Sequence, residues 1–367
     1  MRAVYYPFSG NGNEYCEQMK EIVASVYGEV VPLKAFLTDS EVRNSTGVIF
    51  LNWLEDLNSK QQWKNIAKYV LRLILLSYLR HVNAKLVYVM HNVTSHDHRL
   101  DKASTRLRIR LIDQSNAIMI LSSKSRDVLR DQLGEQEYRL IEHKIMQVQM
   151  PNCCELNERR MVDYRKKFRI AKDQFVFLFT GIIRPYKRIE LIIRLAEESA
   201  DVWKNAFFLV VGKARDRKYM EDLVNSSMGL SNIKLVDEFI PAEEMEDLIK
   251  SGDISILPLD MQSSLNSSSC IHSLSCGRNV IVPLVGTVAD FPEALAFTYQ
   301  YSDWTEEYEA LKKAAGEAYK LYQENPALFN ERQAKLSAFV ASEYSQSRIG
   351  DQCREMLTYC GAYEDVQ

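Results

Sequence analysis

The sequence lacks the patterns that mark disulfide-rich, exported or membrane-spanning proteins. Its seven cysteines are scattered without a CxxC pair, and its six histidines do not lie near them at ligand spacing. This argues against a disulfide framework and against a zinc site. The opening MRAVYYPF contains no apolar segment typical of a signal peptide, and the longest apolar run, residues 69–79, is interrupted by Arg72. We therefore expect a cytoplasmic protein with reduced thiols.

The composition is that of a folded chain with an uneven charge distribution. Of the 367 residues, 46% are hydrophobic and 26% are charged, which is typical of globular proteins. Residues 1–150 have a net charge of +4 and the remainder −7. An acidic second half would repel a phosphate backbone, and no basic-aromatic motif is present, so we expect no nucleic-acid partner.

Strand and helix patterns alternate along the chain, and the alternation breaks once, around residues 149–155. Two such series predict an α/β protein with two doubly wound, Rossmann-like parallel sheets that face each other across a cleft. We place the amino-terminal domain at residues 1–152, the second domain at residues 153–340, and a carboxyl-terminal helix at residues 341–367.

The segment FVFLFTGIIRPYK, at residues 175–187, has the features of an anion site. An apolar strand ends at Gly181, the loop that follows carries Arg184 and Lys187, and a helix pattern comes next. Open α/β sheets bind ligands at the carboxyl ends of strands, where helix N-termini favour negative charge. The pattern predicts a phosphate or diphosphate site. The alternative is that the two cations are ordinary surface residues.

Several segments together resemble one enzyme family. They are TGIIRPYKRIELII, FIPAEEMEDLIKSGDISILPL and SSLNSSSCIHSLSCGRNVIVP in the second half, and GNEYCEQM, FLNWLED and VYVMHNVTSHDH in the first. Their order and spacing are similar to those of GT-B-fold glycosyltransferases of bacterial exopolysaccharide and capsule synthesis, including group 1 and β-mannosyltransferase-like enzymes. The resemblance implies hexose transfer from a GDP- or UDP-sugar to a lipid-linked or oligosaccharide acceptor. It also implies a carboxyl-terminal helix that returns to the first domain.

The sequence departs from the family pattern at one important place. Retaining relatives carry two glutamates separated by seven residues, and the corresponding positions here are Ser264 and His272. We therefore expect an inverting reaction. No D-x-D pair is present for a nucleotide-bound metal, so we expect no metal and no cofactor. A retaining transferase of another sugar, such as galactose, and a non-catalytic scaffold subunit remain the alternatives.

The resemblance and the loop chemistry give a candidate set for the donor. Small residues before a helix let backbone N–H groups approach phosphate oxygens, although a serine there can also serve only as a helix cap. His272 either lines the donor pocket or packs. The predicted donor-binding residues are Gly181, Arg184, Lys187, Gly212, Lys213, Asn266, Ser267, Ser268, Ser269 and His272.

The acceptor side needs a base that takes a hydroxyl proton, and polar residues after strands of the first domain are the candidates. Each could instead be a solvated loop residue, and Glu55 could serve only to hold the Trp53 loop. The predicted catalytic residues are His91, Glu55, His96 and Asp97, and the predicted acceptor-binding residues are Asn11, Gly12, Asn13 and Trp53.

Residues 60–80 form a basic amphipathic pattern in a stretch, residues 57–96, that contains no Asp or Glu. Its apolar positions, at helical spacing, are Trp63, Ile66, Tyr69, Val70, Leu73 and Ile74. Such a helix can lie on an anionic membrane, at the inner face of the cell membrane for a cytoplasmic enzyme. The alternative is that the apolar stripe packs on the first sheet.

Overall fold

A computed structural model of the chain describes residues 1–9, 14–57, 61–93, 101–152 and 161–363. The strands are β1 (Arg2–Tyr6), β2 (Glu29–Pro32), β3 (Thr46–Asn52), β4 (Lys85–Met90), β5 (Ala117–Ile120), β6 (Ile145–Gln147), β7 (Phe175–Thr180), β8 (Ala206–Val211), β9 (Ile233–Val236), β10 (Ile254–Ile256), β11 (Val280–Pro283) and β12 (Phe297–Tyr299).

The α-helices lie between and after these strands. They are α1 (Glu14–Tyr27), α2 (Leu33–Thr38), α3 (Ser40–Ser45), α4 (Gln62–Leu79), α5 (Asp101–Gln114), α6 (Ser125–Leu133), α7 (Glu135–Ile141), α8 (Tyr164–Phe168), α9 (Ile189–Ser199), α10 (Arg217–Ser226), α11 (Ala242–Ser251), α12 (Ser268–Ser275), α13 (Gly286–Ala289), α14 (Trp304–Glu324), α15 (Pro326–Glu343) and α16 (Gln346–Tyr359). None of those described is both long and apolar enough to span a bilayer.

The chain divides into two compact units. The first comprises residues 1–151, 262–266 and 344–367, and the second comprises residues 152–261 and 267–343. The sequence prediction placed its divisions after residues 152 and 340. Each unit contains a six-stranded parallel sheet, so the predicted α/β fold with two Rossmann-like sheets is confirmed.

The first unit is built on a sheet with strand order β2-β1-β3-β4-β5-β6. Strand β3 is almost entirely buried, as expected for a parallel strand covered by helices on both faces. The core includes Ile49, Leu51, Tyr88 and Met90 from the central strands. Helix α16 packs against α1, so the carboxyl-terminal segment completes this unit.

The second unit has the strand order β12-β11-β10-β7-β8-β9. Strand β7 lies in the middle, and all six of its residues are buried, as are all six residues of β8. Phe177 stacks on Phe208 with ring centroids 4.8 Å apart, and Trp203 and Tyr319 extend this aromatic cluster. The buried strands fix the ends from which the loops of the site emerge.

Three helices, α14, α15 and α16, follow β12, and α16 lies within the predicted carboxyl-terminal helix at residues 341–367. The break before α15 coincides with Pro326, whose ring favours the first turn of a new helix. Ser345 caps α16 by accepting a hydrogen bond from the backbone N–H of Arg348. These local signals divide the segment into separate helices.

Gly350 of α16 provides a test of the α1–α16 packing. A Cβ atom there would lie 3.4 Å from Cγ1 of Val26, an ordinary contact, so Gly350→Ala should leave stability unchanged or raise it by up to about 1 kcal/mol through helix propensity. Gly350→Leu should lower it by about 1–3 kcal/mol through overpacking. Chemical denaturation of both variants measures the difference. Equal stability of the two variants would contradict close packing.

Candidate active site

Both sheets have a point at which the strand order reverses, and ligands of open α/β sheets bind at such points. In the second unit the reversal lies between β7 and β10, and in the first it lies between β1 and β3. The loops that leave these strand ends carry most of the predicted site residues. Each unit therefore presents its own candidate site.

The loop after β7 is fixed by a close contact between two glycines. Gly181 has a φ of +132°, and a Cβ on Gly212, which follows β8, would lie only 1.7 Å from the carbonyl oxygen of Gly181. No side chain fits there. The N–H of Ile183 donates to the carbonyl of Lys213 at 3.1 Å. These contacts hold the two loops side by side. The backbone geometry therefore explains why glycine occupies both predicted positions.

Arg184 directly precedes a short 3-10 turn, residues 185–187, and Lys187 is the last residue of that turn. The turn leads into α9. Both side chains are half-buried, and neither has a carboxylate partner among the described residues. The backbone N–H of Asp260, after β10, donates to the carbonyl of Tyr186 at 3.1 Å. The loop is thus tied to the other side of the reversal point, and its two cations remain available for an anion.

Half-buried Arg188 and buried Glu307 form an ion pair behind this loop, and the sequence analysis does not predict it. Arg188 is in the left-handed region with φ 51°, its Nη2 lies 2.7 Å from Oε2 of Glu307, and its guanidinium lies over the Trp304 ring at 4.5 Å. Glu307 is fully buried, and burial raises its pKa. Because Arg188 directly follows Lys187, this pair positions the loop of residues 181–187, which we call the cation loop.

The serines before and within α12 have different roles. Ser267 caps the helix, because its hydroxyl accepts from the N–H of Cys270 and its own N–H donates to Thr287 at 2.8 Å. Ser268 is exposed. Ser269 lies against the cation loop, because a Cβ on Gly181 would be 3.4 Å from the Ser269 hydroxyl oxygen. Ser267 therefore serves as a helix cap, whereas Ser269 lies next to the cation loop.

Lys187 also lies near this helix start, because its positive charge acts on the buried Cys270 thiol and opposes the rise in pKa that burial causes. Lys213 is engaged elsewhere, with its Nζ 3.2 Å from the Asp237 carboxylate. His272 is half-buried on α12. The predicted donor residues of the second unit thus converge on Gly181, Lys187 and Ser269, while Lys213 lies in an ion pair.

The remaining predicted donor residue, Asn266, belongs to the first unit. Its side-chain N–H donates to the backbone carbonyl of His91 at 3.0 Å, and its Oδ1 is buried without a hydrogen-bond partner among the described residues. The structure therefore places Asn266 beside a predicted catalytic residue of the same unit.

His91 lies in an aromatic enclosure at the end of β4. Its ring stacks on Trp53 with centroids 3.9 Å apart, and Tyr15 meets it edge-on at 5.1 Å. Trp53 has a left-handed φ of 51°, which is uncommon for a residue with a large side chain. The structure thus brings together His91 and Trp53, and it adds Tyr15, which the sequence reasoning missed.

Asn52 sets the tautomer of the His91 ring. Its amide nitrogen donates to the Tyr6 carbonyl at 2.9 Å, so its amide oxygen faces Nε2 of His91 at 2.8 Å and must accept. His91 therefore carries its proton on Nε2, and the lone pair is on Nδ1. Asn52 was overlooked, although a polar residue that ends a buried strand is the same signal that identified His91.

Burial lowers the pKa of His91 to about 3. Within the described residues its hydrogen-bond partner is an amide rather than a carboxylate, so nothing there stabilises an imidazolium. The ring is consequently neutral at neutral pH, which is the state in which Nδ1 can accept a proton.

Glu55 is held in a buried network that points to a structural role. Its Oε1 accepts from the Tyr88 hydroxyl at 2.6 Å and lies 3.4 Å from Nη2 of Arg108. Arg108 also donates to the carbonyls of Asn92 and Val93. The network fixes the backbone just after His91 and just after Trp53. The contacts thus favour the alternative account of Glu55, as a support for the Trp53 loop.

Asp56, next to Glu55, is a further titratable group that the sequence reasoning missed. Burial and the neighbouring Glu55 carboxylate raise its pKa to about 7. The other predicted residues of this side, His96, Asp97, Asn11, Gly12 and Asn13, lie outside the described residues. Among the described residues, no group of three or more His, Cys, Asp or Glu side chains is arranged to hold a metal ion.

Comparison with a family model identifies part of the chain. Residues 162–294 match the model described as "Glycosyl transferases group 1", and this segment contains β7, the cation loop and α12. No curated protein sequence matches the chain. The resemblance to group 1 glycosyltransferases found in the sequence is confirmed by the family match.

Solved structures show the same fold at low sequence identity. HepE of Anabaena, in complex with UDP-glucose, is 13% identical with a TM-score of 0.71 and covers 98% of this chain and 99% of that chain. Sucrose-phosphate synthase from Thermosynechococcus elongatus is 13% identical with a TM-score of 0.72, with the same coverage. The catalytic domain of starch synthase IV from Arabidopsis thaliana, bound to ADP and acarbose, is 12% identical with a TM-score of 0.64 and covers 97% and 79%.

The neutral state of His91 predicts how stability responds to pH. Its folded pKa of about 3 lies below the unfolded value of about 6.5. The stability that comes from the neutral ring is therefore fully present above about pH 6.5 and is lost as pH falls. Relative to His91→Gln, the parent should lose about 2 kcal/mol between about pH 7 and pH 5, measured by chemical denaturation.

Exposed His143 provides the matched control, because His143→Gln leaves the buried imidazole in place. The parent and the control should then show the same pH dependence. A free-energy difference between the parent and His91→Gln that does not change with pH would show that the imidazole is not held neutral by burial.

Proposed function

Because the protein is a glycosyltransferase, we propose that it transfers a hexose from a UDP- or GDP-sugar to a lipid-linked or oligosaccharide acceptor in bacterial surface-polysaccharide synthesis, with inversion and without a metal. The observation that carries the donor side of this proposal is the loop after β7. It presents Arg184 and Lys187, which have no carboxylate partner in the described part of the chain, at the strand reversal point and next to the start of α12.

The donor chemistry follows from the charge that develops on the leaving group. When the bond between the anomeric carbon and the diphosphate oxygen breaks, the electron pair stays on the nucleoside diphosphate. Fixed cations and N–H donors that face those oxygens stabilise the transition state, each typically by about 3 kcal/mol. Arg184, Lys187 and the N–H groups near Ser269 would supply them. The Arg188–Glu307 pair would keep the loop in place before the donor binds.

Two cations also provide the reason to expect metal independence. A divalent ion in such reactions neutralises the diphosphate, and Arg184 and Lys187 together carry the same positive charge. The complexes of HepE with UDP-glucose and of a pneumococcal O-GlcNAc transferase with UDP and GlcNAc make UDP the first nucleotide to test. GDP remains the alternative.

The acceptor step requires the removal of one proton. We propose that the acceptor hydroxyl oxygen attacks the anomeric carbon while its proton passes to Nδ1 of His91, which the Asn52 contact leaves as the basic nitrogen. The positions that hold the glutamate pair in retaining relatives are Ser264 and His272 here, which supports inversion.

Nucleotide binding tests the donor site. The melting temperature should rise by several degrees with one of UDP, GDP and CMP at saturation, with or without EDTA. Lys187→Ala should weaken that nucleotide about 10- to 100-fold, because a hydrogen bond to a charged group is lost. Lys172→Ala, at an exposed lysine of the same unit, is the matched control. Equal binding by Lys187→Ala, or a shift that EDTA removes, would contradict the proposal.

Turnover tests the role of His91. With the nucleotide-sugar that binds, His91→Gln should lower kcat by about 10²–10⁴-fold while donor affinity stays within about twofold, because the ring acts on the acceptor. The product anomer, read by NMR from its proton coupling, should be inverted relative to the donor. Unchanged kcat would rule out His91 as the base, and a retained anomer would establish the retaining alternative.

A further inference from the structure

Helix α4 exposes an apolar face that the core does not use. The helix is anchored through Asn65, Leu76 and Leu79, which are its buried residues. The large apolar side chains that it leaves exposed are Trp63 (65%), Ile66 (57%), Val70 (47%), Leu71 (64%), Ile74 (60%) and Tyr78 (38%). The account in which the whole apolar stripe packs on the first sheet is therefore wrong. Only Tyr69 and Leu73 of that stripe pack against the core.

The exposed side chains form one continuous surface. Residues 63, 66, 70 and 74 recur at spacings of three and four, which places them on one side of a helix, and residues 71 and 78 lie next to them. Six exposed large apolar side chains within 18 residues far exceed the scattered single residues that are normal for a protein surface. We call these six residues the α4 apolar face.

Positive charges flank the α4 apolar face. Lys64 and Lys68 lie on its edge and have no carboxylate partner among the described residues. Helix α5 packs against α4, and its exposed side chains include Lys102, Arg106 and Arg110. Residues 57–96 contain no Asp or Glu. The apolar surface is thus bordered by cations.

We propose that the α4 apolar face docks on an anionic lipid bilayer, with the six apolar side chains in the headgroup–acyl boundary and the lysines on lipid phosphates. A second copy of the chain is disfavoured as the occupant, because two copies of this face would bring like charges together. A bilayer surface supplies both an apolar phase and fixed negative charge. The inference rests on exposure and charge, independently of the proposed function.

Vesicle co-sedimentation tests the proposal on the full chain without donor or acceptor, so its outcome is independent of the transferase assays. The protein should bind vesicles of phosphatidylglycerol and phosphatidylcholine at about 0.05 M salt, and at least about tenfold more weakly at about 0.5 M salt, where charges are screened. Vesicles of phosphatidylcholine alone should also bind at least about tenfold more weakly. No binding to the anionic vesicles at low salt would overturn the proposal.

Substitutions separate the two contributions. The triple change Ile66→Ser, Val70→Ser and Ile74→Ser should lower vesicle affinity by about 100-fold, and it should not unfold the protein because these side chains are exposed. Val202→Ser with Met228→Ser, at residues 72% and 70% exposed in the second unit, is the matched control. Lys64→Gln and Lys68→Gln should each cost about fivefold, and Lys172→Gln with Lys204→Gln should cost nothing.

The site of contact can be read from tryptophan fluorescence. Trp63 should shift its emission to the blue when anionic vesicles are added, and Trp63→Phe should remove that shift, whereas Trp304→Phe should retain it. Vesicle binding by the triple variant equal to that of the parent would overturn the proposal. So would a parent dimer that ignores vesicles and that the triple variant converts to monomer in analytical ultracentrifugation.

Discussion

The site residues depend on one constraint: in a parallel sheet all strands end at the same edge. The buried strands β3, β4, β7 and β8 therefore deliver their next residues to that edge of their own unit, whatever those residues are. At the edge of the second unit the chain needs two glycines in contact, because the carbonyl of Gly181 occupies the space of a side chain at residue 212. At the edge of the first unit it needs an amide, Asn52, that joins the ends of three strands.

The residues at the carboxyl ends of the strands differ in electrostatic character between the two units. In the second unit, Arg184 and Lys187 lie in a half-buried loop and have no carboxylate partner among the described residues, and the buried acid Glu307 is paired with Arg188. In the first unit, charge is kept away from His91, which meets two aromatic rings and an amide. The buried charges there, Glu55 and Arg108, are paired with each other, and Arg108 also donates to backbone carbonyls. A site ready for an anion and a site with a neutral ring thus arise from similar sheets.

Much of this could be predicted from the sequence, because strand ends and glycines are local signals. The alternation of strands and helices, the cation loop and the residue His91 all follow from patterns of a few neighbouring residues. The Arg188–Glu307 pair could not be found that way, since its members are 119 residues apart. Nor could the exposure of Ile66 and Ile74, because an apolar stripe has the same spacing whether it is buried or not. The placement of Asn266 beside His91 likewise depends on where the chain folds back.

The first unit is discontinuous, because residues 1–151 are completed by residues 262–266 and 344–367. During synthesis the ribosome releases α1 and the first sheet long before α16 exists, so the surface of α1 that receives Gly350 has no cover while the second unit is made. Domains generally fold as units in order of emergence. Here the segments of the second unit, residues 152–261 and 267–343, are synthesised before α16, and the first unit reaches its final form only after α16 leaves the exit tunnel. Completion of the first unit therefore follows synthesis of the second unit.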